Sequence, residues 1–244
     1  MTSDDTRPAL YARYASWHAG VSPNVAAAAI FRRDILPFLP ADRGARVLDV
    51  GCGQGDLVAE LHRAGYLAAT GVDISPEQVA LAHERGITAV QQADYATVLA
   101  EREGQLDVVT ATDFFEHLTK PEVVEAFRRI RLALRPGGCL IGRCPNAVSP
   151  FAGNYQEGDF THETSFSARS IRQVALASGF DEVMVRPCPP VAHGLRSRVR
   201  RVIWAGFSGV FKLALASETG VLTGHIVTQN LVFAARRREG WSVG

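Results

Sequence analysis

The chain reads as a doubly wound α/β fold, and three features predict it. Val47-Leu48-Asp49-Val50 is a short apolar run interrupted by one carboxylate, which suits a parallel strand covered on both faces. It leads directly into Gly51-Cys52-Gly53-Gln54-Gly55, a turn whose glycines let backbone approach a ligand closely. Downstream, short apolar runs alternate with helical periodicity, the rhythm of strand, crossover helix and parallel strand.

The elements follow in order. Ser22 as N-cap with Pro23 in the first turn opens a helix that Pro37 stops, and this helix is expected to cover one sheet edge. After the glycines a helix carries Leu57, Val58, Leu61 and His62, and Leu67 to Val72 forms a second strand ending at Asp73. Val90 closes a short third strand before Gln91-Gln92-Ala93-Asp94-Tyr95. Leu106 to Thr112 is the fourth, with Asp113-Phe114-Phe115-Glu116-His117-Leu118 at its carboxyl end, where ligands bind in open parallel sheets. Val124, Phe127, Ile130 and Leu134 repeat at helical spacing, and Arg135-Pro136-Gly137-Gly138 ends that helix in a turn. Cys139 to Arg143 is the fifth strand. A connection of about twenty residues follows it, longer than most and therefore read as functional. Ser167 opens and Gly179 closes the next helix, Glu182 to Val185 is the sixth strand, and Ile226 to Ala235 alternates enough to run antiparallel.

A length of 244 residues suits one domain with additions. The expected division is an N-terminal helical cap over 1–44, a core over 45–186, a helical insertion over 187–224, and a final strand and tail over 225–244. Lysine plus arginine total 26 against 25 acids, a net charge of +1, so no nucleic-acid partner is expected. Cys52, Cys139, Cys144 and Cys188 lack the close pairs zinc would need and read as small apolar residues in a reducing compartment. The polar, acidic start Met1 to Arg7 has no secretion signal, and a cytoplasmic location is expected.

The glycine spacing is Gly-x-Gly-x-Gly, with Asp56 at the sixth position, where a dinucleotide-binding turn has its third glycine. A carboxylate there repels a pyrophosphate, which disfavours a nicotinamide oxidoreductase, and Asp49 just upstream adds a second negative charge. A cationic ligand fits better. This stretch resembles the first motif of class I S-adenosylmethionine-dependent methyltransferases. The resemblance implies a seven-stranded sheet with one reversed strand, in which Asp49, Gly51, Gly53 and Gly55 shape the cofactor pocket. Asp73, about twenty residues beyond the glycines, is placed to accept from the ribose hydroxyls. The resemblance further implies that Ile74 packs on the adenine and that Asp94 holds its amino group, although Asp94 could instead cap the following helix. Tyr95 and Asp113 complete the expected cofactor contacts.

Methyl transfer to oxygen requires alignment of two partners and removal of a proton. Asp113, Glu116 and His117 share one side of a helical turn, and His162 lies in the loop after the fifth strand, bordering the same cleft. They could chelate magnesium or manganese; otherwise His117 or His162 serves directly as base beside Glu116. The pattern resembles the Glu-x-x-Glu-His signature, with a later histidine, of small-RNA 2′-O-methyltransferases and a similar stretch in ubiquinone-biosynthesis O-methyltransferases. Asp113 replaces the first glutamate with a shorter reach.

Asn146, Asn154, Tyr155 and Gln156 offer hydrogen bonds, and Phe151 and Tyr155 offer faces, that a sugar would use. With the 158–164 segment and the late 218–220 and 228–231 stretches, they resemble methyltransferases of bacterial polysaccharide and surface-glycan synthesis. The expected acceptor is therefore a hydroxyl of a sugar in a glycan or glycolipid precursor. A small aromatic or quinone-precursor hydroxyl is the alternative, and a non-catalytic cofactor-binding protein the rival from another class. The aromatic segment Tyr11 to His18 would either fold over the cofactor, with Trp17 as its cap, or pack on the first helix.

In the insertion, expected over Arg186 to Gly224, residues 195–213 set Leu195, Val199, Val202 and Val210 at helical spacing against Arg196, Arg200 and Arg201. Its apolar part is too short to span a bilayer. A lid or plain packing is the favoured reading; a homodimer contact and peripheral contact with anionic lipid remain open.

Overall fold

The computed structural model describes residues 10–11, 14–17, 27–191 and 194–238. His18, Ser22, Pro23 and the side chain of Trp17 lie outside the described residues, and with them the expected helix start and the expected tryptophan cap.

Seven strands form one sheet: β1 (Val47–Val50), β2 (Thr70–Asp73), β3 (Val90–Gln92), β4 (Leu106–Thr112), β5 (Leu134–Pro145), β6 (Glu182–Cys188) and β7 (Asn230–Arg236). Their order is β3-β2-β1-β4-β5-β7-β6. The first five run parallel, while β7 is antiparallel to both β5 and β6. The expected fold and its single reversed strand are both present. The winding changes direction between β1 and β4, so the crevice beyond their carboxyl ends is where a ligand belongs.

The helices are α1 (Tyr14–Trp17), α2 (Ala27–Ile30), α3 (Asp56–Arg63), α4 (Pro76–Glu84), α5 (Tyr95–Glu101), α6 (Lys120–Ala133), α7 (Ala152–Gln156), α8 (Ala168–Ala177) and α9 (Leu195–Thr219). Successive strand residues point to opposite faces, and the core divides accordingly. Leu48, Val109 and Phe233 pack with Phe115, Phe127 and Ile130 on one side. Val47, Val108 and Val232 pack with Phe31, Ile35 and Leu61 on the other. Each such side chain, fully buried, contributes about 1.5–3 kcal/mol. The Phe127 and Phe233 rings stack 5.9 Å apart and Phe115 sits 4.7 Å from Phe127, so the turn after β4 is built on an aromatic floor. Gly142 permits this, because a Cβ there would lie 2.2 Å from Phe233 Cζ.

Several boundaries differ from expectation. β2 starts at Thr70: Leu67 is 76% exposed, while Tyr66 supplies the buried anchor and donates its hydroxyl to the Pro40 carbonyl at 2.6 Å. Arg135 to Gly138 do not end the helix as a separate turn but bulge from the start of β5, where pairing jumps from Leu134 to Cys139. β7 begins at Asn230, and β6 runs on to Cys188, so the insertion starts later than Arg186. The segment after α2 continues as a π-helical turn (Phe31–Ile35) and a 3₁₀ turn (Leu36–Phe38). It covers the middle of a sheet face rather than an edge, because Phe31, Ile35 and Phe38 are apolar enough to be buried against β1, β4, β5 and β7.

Candidate active site

The turn after β1 holds Gly51, Gly53 and Gly55 at φ +65°, +52° and +75°, values that glycine adopts freely. They are not equivalent. A side chain on Gly51 would strike the Phe114 ring at 2.7 Å, whereas one on Gly53 would meet only Gln78 Oε1, at 4.0 Å. Gly53 therefore faces open space, and Gln78 Oε1 beside it is buried without a hydrogen-bond partner. Asp73 borders the same turn, accepting from the Gly53 N–H at 2.8 Å through Oδ2 and from the Ser75 N–H at 2.8 Å through Oδ1. Burial raises its carboxyl above the ordinary range against those two bonds. Ile74 is apolar yet 56% exposed, as a side chain kept for a ligand face would be.

Asp49 is buried and accepts from Thr110 Oγ1 at 2.7 Å. Burial pushes its carboxyl up to about 7, outweighing the Thr110 bond, and the charge on Asp73 adds to the rise. Two acidic groups that no cation among the described residues pairs, next to an open backbone cradle, fit a cationic cofactor such as S-adenosylmethionine. Asp94 acts as the N-cap of α5, accepting from the Ala96 N–H at 3.2 Å, so the capping alternative is the arrangement seen. Tyr95 stands edge-on to Phe114 at 5.1 Å, and burial pushes its hydroxyl up to about 12. Asp56 opens α3 and pairs with Arg85 on the surface.

Beyond β4 a 3₁₀ turn (Phe115–His117) presents the expected Glu-His pair. The N–H groups of Glu163 and Thr164 bond the Glu116 carbonyl at 2.8 and 3.0 Å, which docks the loop after β5 onto this turn. The docking brings Glu116, His117 and His162 together, with ligand-capable atoms all within 4.8 Å of one another. Glu116 is buried and its Oε2 has no hydrogen-bond partner. Burial, reinforced by Asp113, raises its carboxyl well above the usual range. Burial, reinforced by His162, lowers His117 to about 4.

The hydrogen bonds assign both tautomers. His162 Nδ1 lies 2.9 Å from the Tyr155 carbonyl, which can only accept, so Nδ1 carries the hydrogen and Nε2 the lone pair. Thr161 Oγ1 donates to Asp159 Oδ1 at 2.7 Å and must therefore accept from His117 Nδ1 at 2.8 Å. Burial works to raise Asp159, but bonds from Thr161 and Tyr14 overcome it and hold the carboxyl down at about 2. Asp159 and Thr161 thus form a positioning pair, and Asp-x-Thr, the spacing of a side-chain-capped turn, is its mark in the sequence.

Asp113 departs from its expected place. It occupies a left-handed conformation at φ +52° and its carboxylate pairs with Arg143, so it is not one of the three clustered ligands. The short side chain and the neighbouring guanidinium account for this. Asn146 also departs: it is buried, donates to the carbonyls of Ile226 and Thr228 at 2.8 and 2.9 Å and accepts from the Val148 N–H, which leaves it no donor for a sugar. The N-terminal aromatic run does reach the site. Tyr14 donates to Asp159 Oδ2 at 2.7 Å, its ring meets His117 edge-on at 5.9 Å, and the Ser16 N–H bonds Glu77 of α4 at 3.0 Å.

The family described as "Methyltransferase domain" matches residues 26–185. The chain belongs to that family. A ubiquinone biosynthesis O-methyltransferase of Xanthomonas oryzae is 38% identical over 115 residues, 43% of this chain and 47% of its own length. The protein of the same name from Xanthomonas campestris is 37% identical over 127 residues, 48% and 52% of the two chains. The chain thus spans about half the length of these curated relatives. A solved S-adenosylmethionine-dependent methyltransferase of Archaeoglobus fulgidus superposes with a TM-score of 0.63 at 21% identity, covering 86% of this chain and 92% of that one, a likeness of fold.

Proposed function

We propose that this protein transfers a methyl group to the hydroxyl oxygen of a small aromatic or quinone-precursor acceptor. The observation that carries the reading is the pair of imidazoles whose Nε2 atoms hold lone pairs beside buried Glu116, on a turn that abuts Gly51 through Phe114. Bound S-adenosylmethionine supplies an electrophilic methyl carbon on a sulfonium. Asp49 and Asp73 hold positive charge at the glycine turn. Phe114 and the docked loop would fix the acceptor oxygen's approach; as the C–O bond forms and the methyl–sulfur bond breaks, with S-adenosylhomocysteine leaving as the neutral thioether, the oxygen's proton would pass to the Nε2 of His162 or His117.

Magnitudes separate the acceptors. Whichever base takes it, the proton of a phenol, near 10, comes away roughly 8 kcal/mol more readily than that of an aliphatic alcohol as weakly acidic as water. An imidazole base therefore suits an aromatic hydroxyl. The names of the curated relatives point the same way, and the glycan reading loses Asn146 as a sugar contact. Glu116, His117 and His162 also fit a divalent ion, since the donor set is one carboxylate and two imidazoles, each ring held through its other nitrogen, with an unpartnered Oε2 among them. An ion there would lower the proton affinity of a bound hydroxyl.

Tritium transfer from labelled S-adenosylmethionine into catechols, hydroxylated quinone precursors, sugars and lipid-linked glycans tests the proposal. Label in the aromatic acceptors is expected, and label confined to the sugars overturns it. Loss of transfer on chelation, restored by magnesium or manganese, supports the ion; unchanged transfer removes it.

A further inference from the structure

Helix α9 is 25 residues long, and its two faces are unlike. At 3.6 residues per turn, Ser197, Trp204, Phe211 and Leu215 share one side. This side meets the protein: Ser197 is buried, and the Trp204 and Phe211 rings contact Phe151 at 6.5 and 6.3 Å. The opposite side carries Leu195, Val199, Val202, Val210 and Leu213. These are the residues a packed lid would bury, yet Leu195 is 79%, Val202 72% and Leu213 68% exposed, and among the described residues nothing covers them.

The charges are arranged around that apolar strip. Arg196 and Arg200 flank one edge, and Arg198, Arg201 and Lys212 the other, with no acidic residue in the helix before Glu218. A second copy of the same strip would offer these cations a single acid, Glu218, whereas an anionic lipid surface would neutralise both flanks and take up the apolar ridge between them. No described helix is long and apolar enough to cross a membrane, which leaves a helix lying in the surface plane. We infer that α9 docks this protein onto anionic bilayers, apolar strip inward and arginines at the headgroups. The inference does not depend on which acceptor is methylated. The docking helix does rest, through Phe151, on the loop whose Tyr155 carbonyl orients His162.

Sedimentation with phosphatidylcholine vesicles, with and without phosphatidylglycerol, tests this on the full chain. The protein is expected to pellet with the anionic vesicles, to remain in solution with the neutral ones, and to be released by high salt. Val202→Ser with Leu213→Ser, and separately Arg198→Glu with Arg201→Glu, should each weaken binding about tenfold or more. The thermal shift given by S-adenosylhomocysteine should stay at the wild-type value in both variants, showing that the fold is intact. Failure of the wild type to pellet with anionic vesicles, or equal binding to neutral ones, overturns the inference. So does a wild-type dimer that the Val202→Ser, Leu213→Ser variant converts to monomer, since the strip would then be a subunit contact.

Discussion

His162 directs its Nδ1–H to the main-chain carbonyl of Tyr155 at 2.9 Å, so a residue of the loop after β5 is held with its other nitrogen as a base. If that nitrogen receives the acceptor's proton, His162→Ala should lower kcat/KM by about 10²–10⁴-fold. Cofactor affinity, read by calorimetry, should be unaltered. A loss of affinity that matches the loss of rate would mean that His162 shapes the cofactor pocket instead.

His117 sets an acid limit on stability. Burial beside His162 keeps it neutral down to about 4, whereas unfolding returns it to about 6.5, so the unfolded chain takes up a proton that the fold refuses. The stability that this neutral ring preserves is complete above about 6.5 and is lost progressively as pH falls toward 4, reaching roughly 2 kcal/mol by pH 5. His117→Gln should therefore show a smaller fall in melting temperature than wild type between neutral and mildly acidic buffer. Parallel curves would assign the acid sensitivity to other groups.

For Asp49 the direction is the opposite. Its carboxyl, raised to about 7 by burial, favours the apo fold when protonated, a contribution that is complete below about 4 and is lost progressively as pH rises to 7. A cationic cofactor needs the ionised form. Affinity for S-adenosylmethionine should thus rise about tenfold between pH 6 and pH 7.5, and Asp49→Asn should bind weakly and flatten the dependence. Titration calorimetry across that range decides it.

Asn146 is a structural brace. Asn146→Ala would leave the Ile226 and Thr228 carbonyls unpaired in the interior and should destabilise the protein by about 2–4 kcal/mol in urea unfolding, with KM for the acceptor little changed in the folded fraction. A raised KM at full stability would restore it as an acceptor contact.

The sheet was legible because its signals are local. Val47–Val50 is apolar on both faces, and the glycines after it admit one kind of turn. The Glu116-His117 pair and His162 could be read as candidates, and the structure does bring them together. What could not be read was which polar group would be claimed by another. Asp113 meets Arg143 thirty positions away, and Asn146 meets carbonyls 80 and 82 residues on; both pairings are made by sheet register, which spacing along the chain does not encode. Asp94, read first as the contact for the adenine amino group, also caps its own helix, a bond that needs only the next turn of the chain. The periodicity of α9 was plain in the sequence, but periodicity gives the angle between faces, and only the packing of Trp204 and Phe211 shows which face turns inward.

The short helix α1 is moored at two points, by Tyr14 to the loop after β5 and by Ser16 to the helix that follows Ile74. One short helix thus laces the loop after β5 to the helix after β2, and loss of either mooring would slacken the tie between the two flanks of the crevice.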